Sequence, residues 1–133
     1  MNFTGLGQRL AVSAALDDCQ RRSLACQLAC IACVDAGLRA TAIERHSALI
    51  RACFRCLDTC MVLGNVILTR RARGEALVPY LQGCVDACAT CEAECRELVG
   101  HDLLARRCAL ACAELGKRCR LSLTLDRAAS ASD

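Results

Sequence analysis

Cysteine recurs at intervals of three, four or seven along four separate stretches of this 133-residue chain, and no other feature constrains the fold so tightly. The first stretch holds Cys19, Cys26, Cys30 and Cys33, and the second holds Cys53, Cys56 and Cys60. The third holds Cys84, Cys88, Cys91 and Cys95, and the fourth holds Cys108, Cys112 and Cys119. In a helix of 3.6 residues per turn these intervals place side chains on one face, which in a bundle is turned to the core. Thiols, not leucines, are therefore expected to line the interior.

The punctuation between stretches supports four helices. The first runs from about Gln8 to Ala36 and stops at Gly37, a residue that takes positive φ without a Cβ clash. The second opens at Thr41-Ala42-Ile43-Glu44, a capping-box pattern, and continues to about Arg71. Gly74 and Pro79 bracket the start of the third, which Gly100 ends after Val99, and Asp102 is the expected N-cap of the fourth. Short connections make consecutive helices antiparallel neighbours, so the fold class is all-α, an up-down-up-down four-helix bundle with a Cys-lined core. Residues 1–125 form one domain, and 126–133 an Ala/Ser/Asp-rich flexible tail. Abundant Ala, Leu, Arg and Glu, with one Pro and no Trp, agree with this.

Counting residues from the end where the first helix finishes gives a depth order. Cys33 and Cys95 come first; then Cys30, Cys91 and Cys108; then Cys26, Cys53, Cys88 and Cys112; then Cys56 and Cys84; last Cys19, Cys60 and Cys119. At 1.5 Å rise per residue the sulfur-lined column is roughly 20–25 Å long. His46 precedes Cys53, and His101 precedes Cys108, by seven residues, so both fall on the inward pattern at the mouth of the column. They are candidate ligands there; the alternative is two polar residues facing solvent at helix starts.

The chemistry of such a core is that of soft metals. Met1 to Leu10 shows no apolar export segment, so a cytoplasmic chain with reduced thiols is expected, and a disulfide scaffold is disfavoured. Structural zinc favours closed four-ligand sites built from CxxC knuckles on loops, whereas Cu(I) is satisfied by two or three thiolates that can also bridge ions. Fourteen buried thiolates would carry a large negative charge, and about one Cu(I) per cysteine would neutralise it. Multiple Cu(I) ions per chain are the leading expectation, bound by all fourteen cysteines with His46 and His101. A structural or storage zinc-thiolate protein and a thiol redox protein are the alternatives; iron–sulfur clusters would leave most of the column unexplained. Before metal arrives the thiols should be protonated and pack as small apolar groups.

Other classes fit poorly. Sixteen Arg and one Lys against fourteen acids give a net charge of +3, dispersed along the chain, and three aromatic residues offer little for base stacking, so nucleic-acid binding is not expected. Every stretch of about 20 residues carries an Arg, Asp or Glu, which argues against a membrane span. No triad-like or dinucleotide-binding pattern appears, and Gly5-Leu6-Gly7 has no preceding strand, so no enzyme is expected.

Taken together, Cys26-x3-Cys30-x2-Cys33, His46-x6-Cys53-x2-Cys56-x3-Cys60, Cys84-x3-Cys88-x2-Cys91-x3-Cys95 and His101-x6-Cys108-x3-Cys112 resemble the bacterial cysteine-rich four-helix-bundle copper storage proteins, in particular their cytosolic branch. The resemblance spans about Cys19 to Arg120. It implies Cu(I) held by core thiolates, access through the His-bearing end and a homotetramer. Copper delivered by small-molecule thiols or a copper chaperone would be the corresponding partner. Ser23 and Leu115 stand at inward places where further cysteines would fit, and Met61, one residue off the stripe, reads as packing.

Overall fold

A computed structural model describes residues 3–40, 43–98 and 102–132. Four helices, α1 (Phe3–Arg39), α2 (Ser47–Thr69), α3 (Val78–Glu97) and α4 (Leu103–Ser132), account for nearly all of them. Short 3₁₀ turns at Ile43–His46 and Gly74–Leu77 lead into α2 and α3. Each helix packs on the next, and α4 closes the ring against α1.

The inward positions follow an unbroken three-four alternation, the heptad pattern that keeps one seam facing the bundle axis. In α1 the buried residues include Cys19, Ser23, Cys26, Cys30, Cys33 and Gly37; in α4 they include Ala105, Cys108, Cys112, Leu115, Cys119 and Ser122. The direction of each helix follows from which thiols meet. Cys26 contacts Cys112 while Cys30 contacts Cys108, so α1 and α4 are antiparallel. Cys53 meets Cys91, Cys56 meets Cys88 and Cys60 meets Cys84, which makes α2 and α3 antiparallel as well. Across the α1–α4 seam, Arg118 bonds Asp18 at 3.1 Å, and within α4 it bonds Glu114 at 2.9 Å.

Several boundaries differ from the sequence expectation. Gly37 does not end α1, which continues to Arg39. Its hydrogen side chain instead admits α2: a Cβ at this position would stand 3.1 Å from Ile50 Cγ1. The residue that does take positive φ at a helix end is Arg70 (φ 55), where the Arg71 N–H bonds the Val66 carbonyl and the Arg70 N–H bonds that of Ile67. This paired closure satisfies carbonyls that the end of α2 would otherwise strand. Helix α2 itself begins at Ser47, after the 3₁₀ turn; Thr41 of the expected capping box lies outside the described residues, as do Val99 and Gly100. Asp102 is an N-cap as expected, its carboxylate accepting the N–H groups of Leu104 at 2.9 Å and Ala105 at 3.2 Å. Helix α4 runs past Leu125 to Ser132.

By length and mean hydropathy (1.4) α2 passes the test for a membrane-crossing helix. Here it is one wall of the bundle. Its cysteines face the core and Arg51, Arg55 and Asp58 are exposed on its outer side. At the end of the bundle remote from His46, Leu63, Leu81, Leu77 and Leu123 close the core with apolar side chains. Leu63 is fully buried, so Leu63→Ala should lower unfolding free energy by about 2–5 kcal/mol, measured by chemical denaturation of the reduced protein. A loss well under 1 kcal/mol would show that this apolar floor does not anchor the bundle.

Candidate metal centre

All fourteen cysteines are free and buried, none more than 2% exposed. Contacting sulfurs lie 3.7–4.0 Å apart, well beyond the roughly 2.05 Å of a disulfide. They stack in layers. Cys30, Cys53, Cys91 and Cys108 form one four-thiol layer, and Cys26, Cys56, Cys88 and Cys112 the next; within each, the sulfurs lie within 4.8 Å of one another. The same spacing relates Cys30, Cys56, Cys91 and Cys112 between the two layers, and Cys33, Cys53, Cys95 and Cys108 at the end nearer His46. Further from it, Cys60, Cys84 and Cys88 make a three-thiol group.

The depth order is thereby corrected for α2. Cys53 sits with Cys30 and Cys91, Cys56 with Cys26 and Cys88, and Cys60 with Cys84, each about one turn nearer the His46 end than the residue count placed it. The cause lies in α2 itself: it begins at Ser47 after the 3₁₀ turn, so its cysteines stand fewer helical residues from that end than a start at Thr41 gives, while α1, α3 and α4 keep the expected register.

Cys19 and Cys119 lie at the far end. Cys119 interacts with Cys19 and Cys84, and the Cys19 sulfur is 3.3 Å from the Ser122 hydroxyl. Ser122 went unnoticed in the sequence, although its place three residues after Cys119 continues the inward alternation of α4. His46 is half-buried at the start of α2 and belongs to none of the thiol groups among the described residues. His101 lies outside them. Ser23 and Leu115 are buried as expected, Ser23 donating its hydroxyl to the Cys60 carbonyl at 3.0 Å. Met61 is 54% exposed on the outer side of α2, away from the sulfurs.

Thiol acidity is shared across the column. Hydrogen bonds from Cys112 hold Cys26 and Cys56 below the ordinary thiol range, as Cys108 does for Cys91. Cys112, Cys30 and Cys53 are pushed up, chiefly through Cys108, with burial adding to the rise. A thiolate surrounded by S–H donors is stabilised, whereas a second thiolate beside it is opposed by the first and by burial.

A soft-metal thiolate protein built on an antiparallel four-helix bundle is the class this fold and site define. The chain belongs to the copper storage protein family, whose model matches residues 12–124. It is similar to a cytosolic copper storage protein from Streptomyces lividans solved during copper loading, with five coppers: 30% identity, a TM-score of 0.81, and coverage of 86% of this chain and 96% of that one. No curated protein matches the chain significantly.

Thiols with raised pKa hold their protons through neutral pH, and a metal must displace them. The sign follows: lowering pH favours the protonated thiol, so metal affinity falls. Apparent affinity should drop about tenfold per pH unit for each proton a site releases, with protons appearing in a weakly buffered solution as metal is added. Competition titrations between about pH 6 and 8 check this. A pH-independent affinity would mean that the thiols are already ionised.

Proposed function

We propose that the chain binds and stores many Cu(I) ions, on the order of one per cysteine, buffering or detoxifying cytosolic copper. The observation that carries this reading is the overlap of the four-thiol groups: Cys56 and Cys112 each belong to two of them, as do Cys30, Cys53, Cys91 and Cys108. An ion that must own four thiolates can occupy only some of these groups. One satisfied by two or three, with sulfur bridging neighbouring ions, can use the whole column.

Zinc is the competing cargo, and distances alone do not reject it. A metal–sulfur bond of about 2.3 Å gives a tetrahedron edge of about 3.8 Å, close to the 3.7–3.9 Å between neighbours in the Cys26, Cys56, Cys88 and Cys112 layer. Charge separates the two. Zinc with four thiolates leaves two negative charges in the interior, and among the described residues no cationic side chain is buried in the core, whereas Cu(I) and thiolate in equal number are neutral.

The burial of every thiol supports storage over catalysis, since a catalytic thiolate needs access to substrate. Free thiols and the similarity to a cytosolic protein support a cytoplasmic setting with copper delivered by small-molecule thiols or a copper chaperone. All fourteen cysteines are assigned as ligands, with His46 and His101 at the mouth. Leu24, Leu28, Ile31 and Leu38 leave an exposed apolar face on α1, which favours assembly into a homotetramer. Light scattering should then give about four times the 14.2 kDa chain mass, and a monomer would overturn the assembly.

The decisive experiment is an anaerobic Cu(I) titration of reduced protein against a competing chelator, with elemental analysis after gel filtration. Roughly ten or more tightly held ions per chain are expected, with a helical circular dichroism spectrum before and after loading. Saturation at one or two ions, or preferential retention of about three zinc ions, would replace storage by a carrier or structural role.

A further inference from the structure

We propose that the sulfur column is two compartments joined at one narrow level, that of Cys60 and Cys84, and that copper reaches Cys19 and Cys119 only through Cys84. The inference rests on the Cu(I)-storage reading. Its basis is the level of the core where Ser23, Cys60, Cys84 and Leu115 meet the inward alternation of the four helices. On the α1 and α4 side of that level there is no thiol. Ser23 turns its hydroxyl to the Cys60 backbone carbonyl and accepts a bond from Gln27, so its oxygen is engaged and is a hard donor with little appeal to Cu(I). Leu115 is fully buried and fills the adjoining quarter with hydrocarbon.

Sulfur continuity therefore survives only on the α2 and α3 side. Cys56 and Cys60 are 3.9 Å apart, Cys60 and Cys84 4.0 Å apart, and Cys84 in turn interacts with Cys119, the partner of Cys19. Above the step, each four-thiol layer offers an ion several neighbouring sulfurs to move to. At the step only Cys60 and Cys84 remain, grouped with Cys88 above, and of these Cys84 leads on to Cys119. The far compartment has no second way in through its floor, because Leu81 and Leu63 are buried alongside Leu77 and Leu123 and offer no ligand. A Cu(I) ion moving by ligand exchange keeps at least two thiolates throughout, so a one-thiol gap halts it.

The far site also has a composition of its own. Cys19 and Cys119 come with the Ser122 hydroxyl, which stands 3.3 Å from the Cys19 sulfur and can donate to it when it is a thiolate. Two thiolates from adjacent helices suit one Cu(I) in two-coordinate form. The compartment is thus a terminal store for one or two ions, filled after the layers and emptied after them.

Crystals of the metal-free protein exposed to graded Cu(I), with ion occupancies refined from anomalous scattering, test this directly. In the wild type, ions should fill the four-thiol layers first and appear between Cys19 and Cys119 last. In Cys84→Ser the layers should still load, while the far ion is absent or appears about tenfold more slowly, because the ion must leave sulfur coordination to cross. Leu115→Cys, which places a thiol beside the gap, should bring the far ion in earlier. Cys119→Ser controls for the burden of a buried hydroxyl: it removes the far ion alone. Simultaneous filling of the far site and the layers in the wild type, or an unchanged far ion in Cys84→Ser, would overturn the two-compartment proposal and leave storage intact. Crystals with no ion in the four-thiol layers would overturn storage itself.

Discussion

Everything in this molecule depends on a protonated thiol behaving as a small apolar group. Fourteen of them are placed where a helical bundle ordinarily carries leucine and isoleucine, and all are buried. Neutral thiols pack against one another at 3.7–4.0 Å without the cost of a buried charge, so the bundle can close before any metal is present. Larger apolar residues gather at the end remote from His46, where Leu63, Leu77, Leu81 and Leu123 supply hydrocarbon, with Leu49 and Val34 buried nearer the His46 end and Leu115 between.

Much of this arrangement is local, and what is local could be read from the sequence. The interval of three or four between cysteines needs only the helical period to put Cys84, Cys88, Cys91 and Cys95 on one face. Asp102 caps α4 through its own carboxylate, a contact within three residues. What the sequence did not show is how far one helix slides along another. Gly37 looked like a stop and is a close-approach point instead, leaving room for Ile50 of α2. The one-turn displacement of Cys53, Cys56 and Cys60 follows from the later start of α2 at Ser47, after a 3₁₀ turn the capping-box pattern did not reveal. Ser122 was missed for a different reason: a hydroxyl on an apolar-looking stripe acquires meaning only once Cys19, more than a hundred residues earlier, is known to lie 3.3 Å away.

Layer composition, once the register is known, explains why the column is not uniform. Two successive levels present four thiols each, but Ser23 and Leu115 leave the next with only Cys60 and Cys84. These two residues, on the neighbouring helices α1 and α4, cost the core two thiols. Because they are adjacent, Cys60 and Cys84 are adjacent as well, and sulfur contact is narrowed without being cut.

Protonation and capacity are coupled by the same geometry. The thiols of a layer share their protons unequally: Cys112 donates to Cys26 and Cys56 and lowers both, Cys26 in turn raises Cys56, and Cys112 itself is pushed up. A lone thiolate is thus accommodated anywhere in the column, but a pair of adjacent thiolates is not, and further ionisation requires a cation to arrive with it. A monovalent ion that takes the place of each proton leaves the charge of the interior unchanged from empty to full. A divalent ion bound by four thiolates changes it by two at every site, and among the described residues the core holds no buried cation to answer it. The stacking of thiols on all four helices, with no basic side chain among them, therefore selects for one-for-one exchange of protons by soft monovalent ions, and it ties the number of ions held to the number of thiols instead of to the number of closed sites.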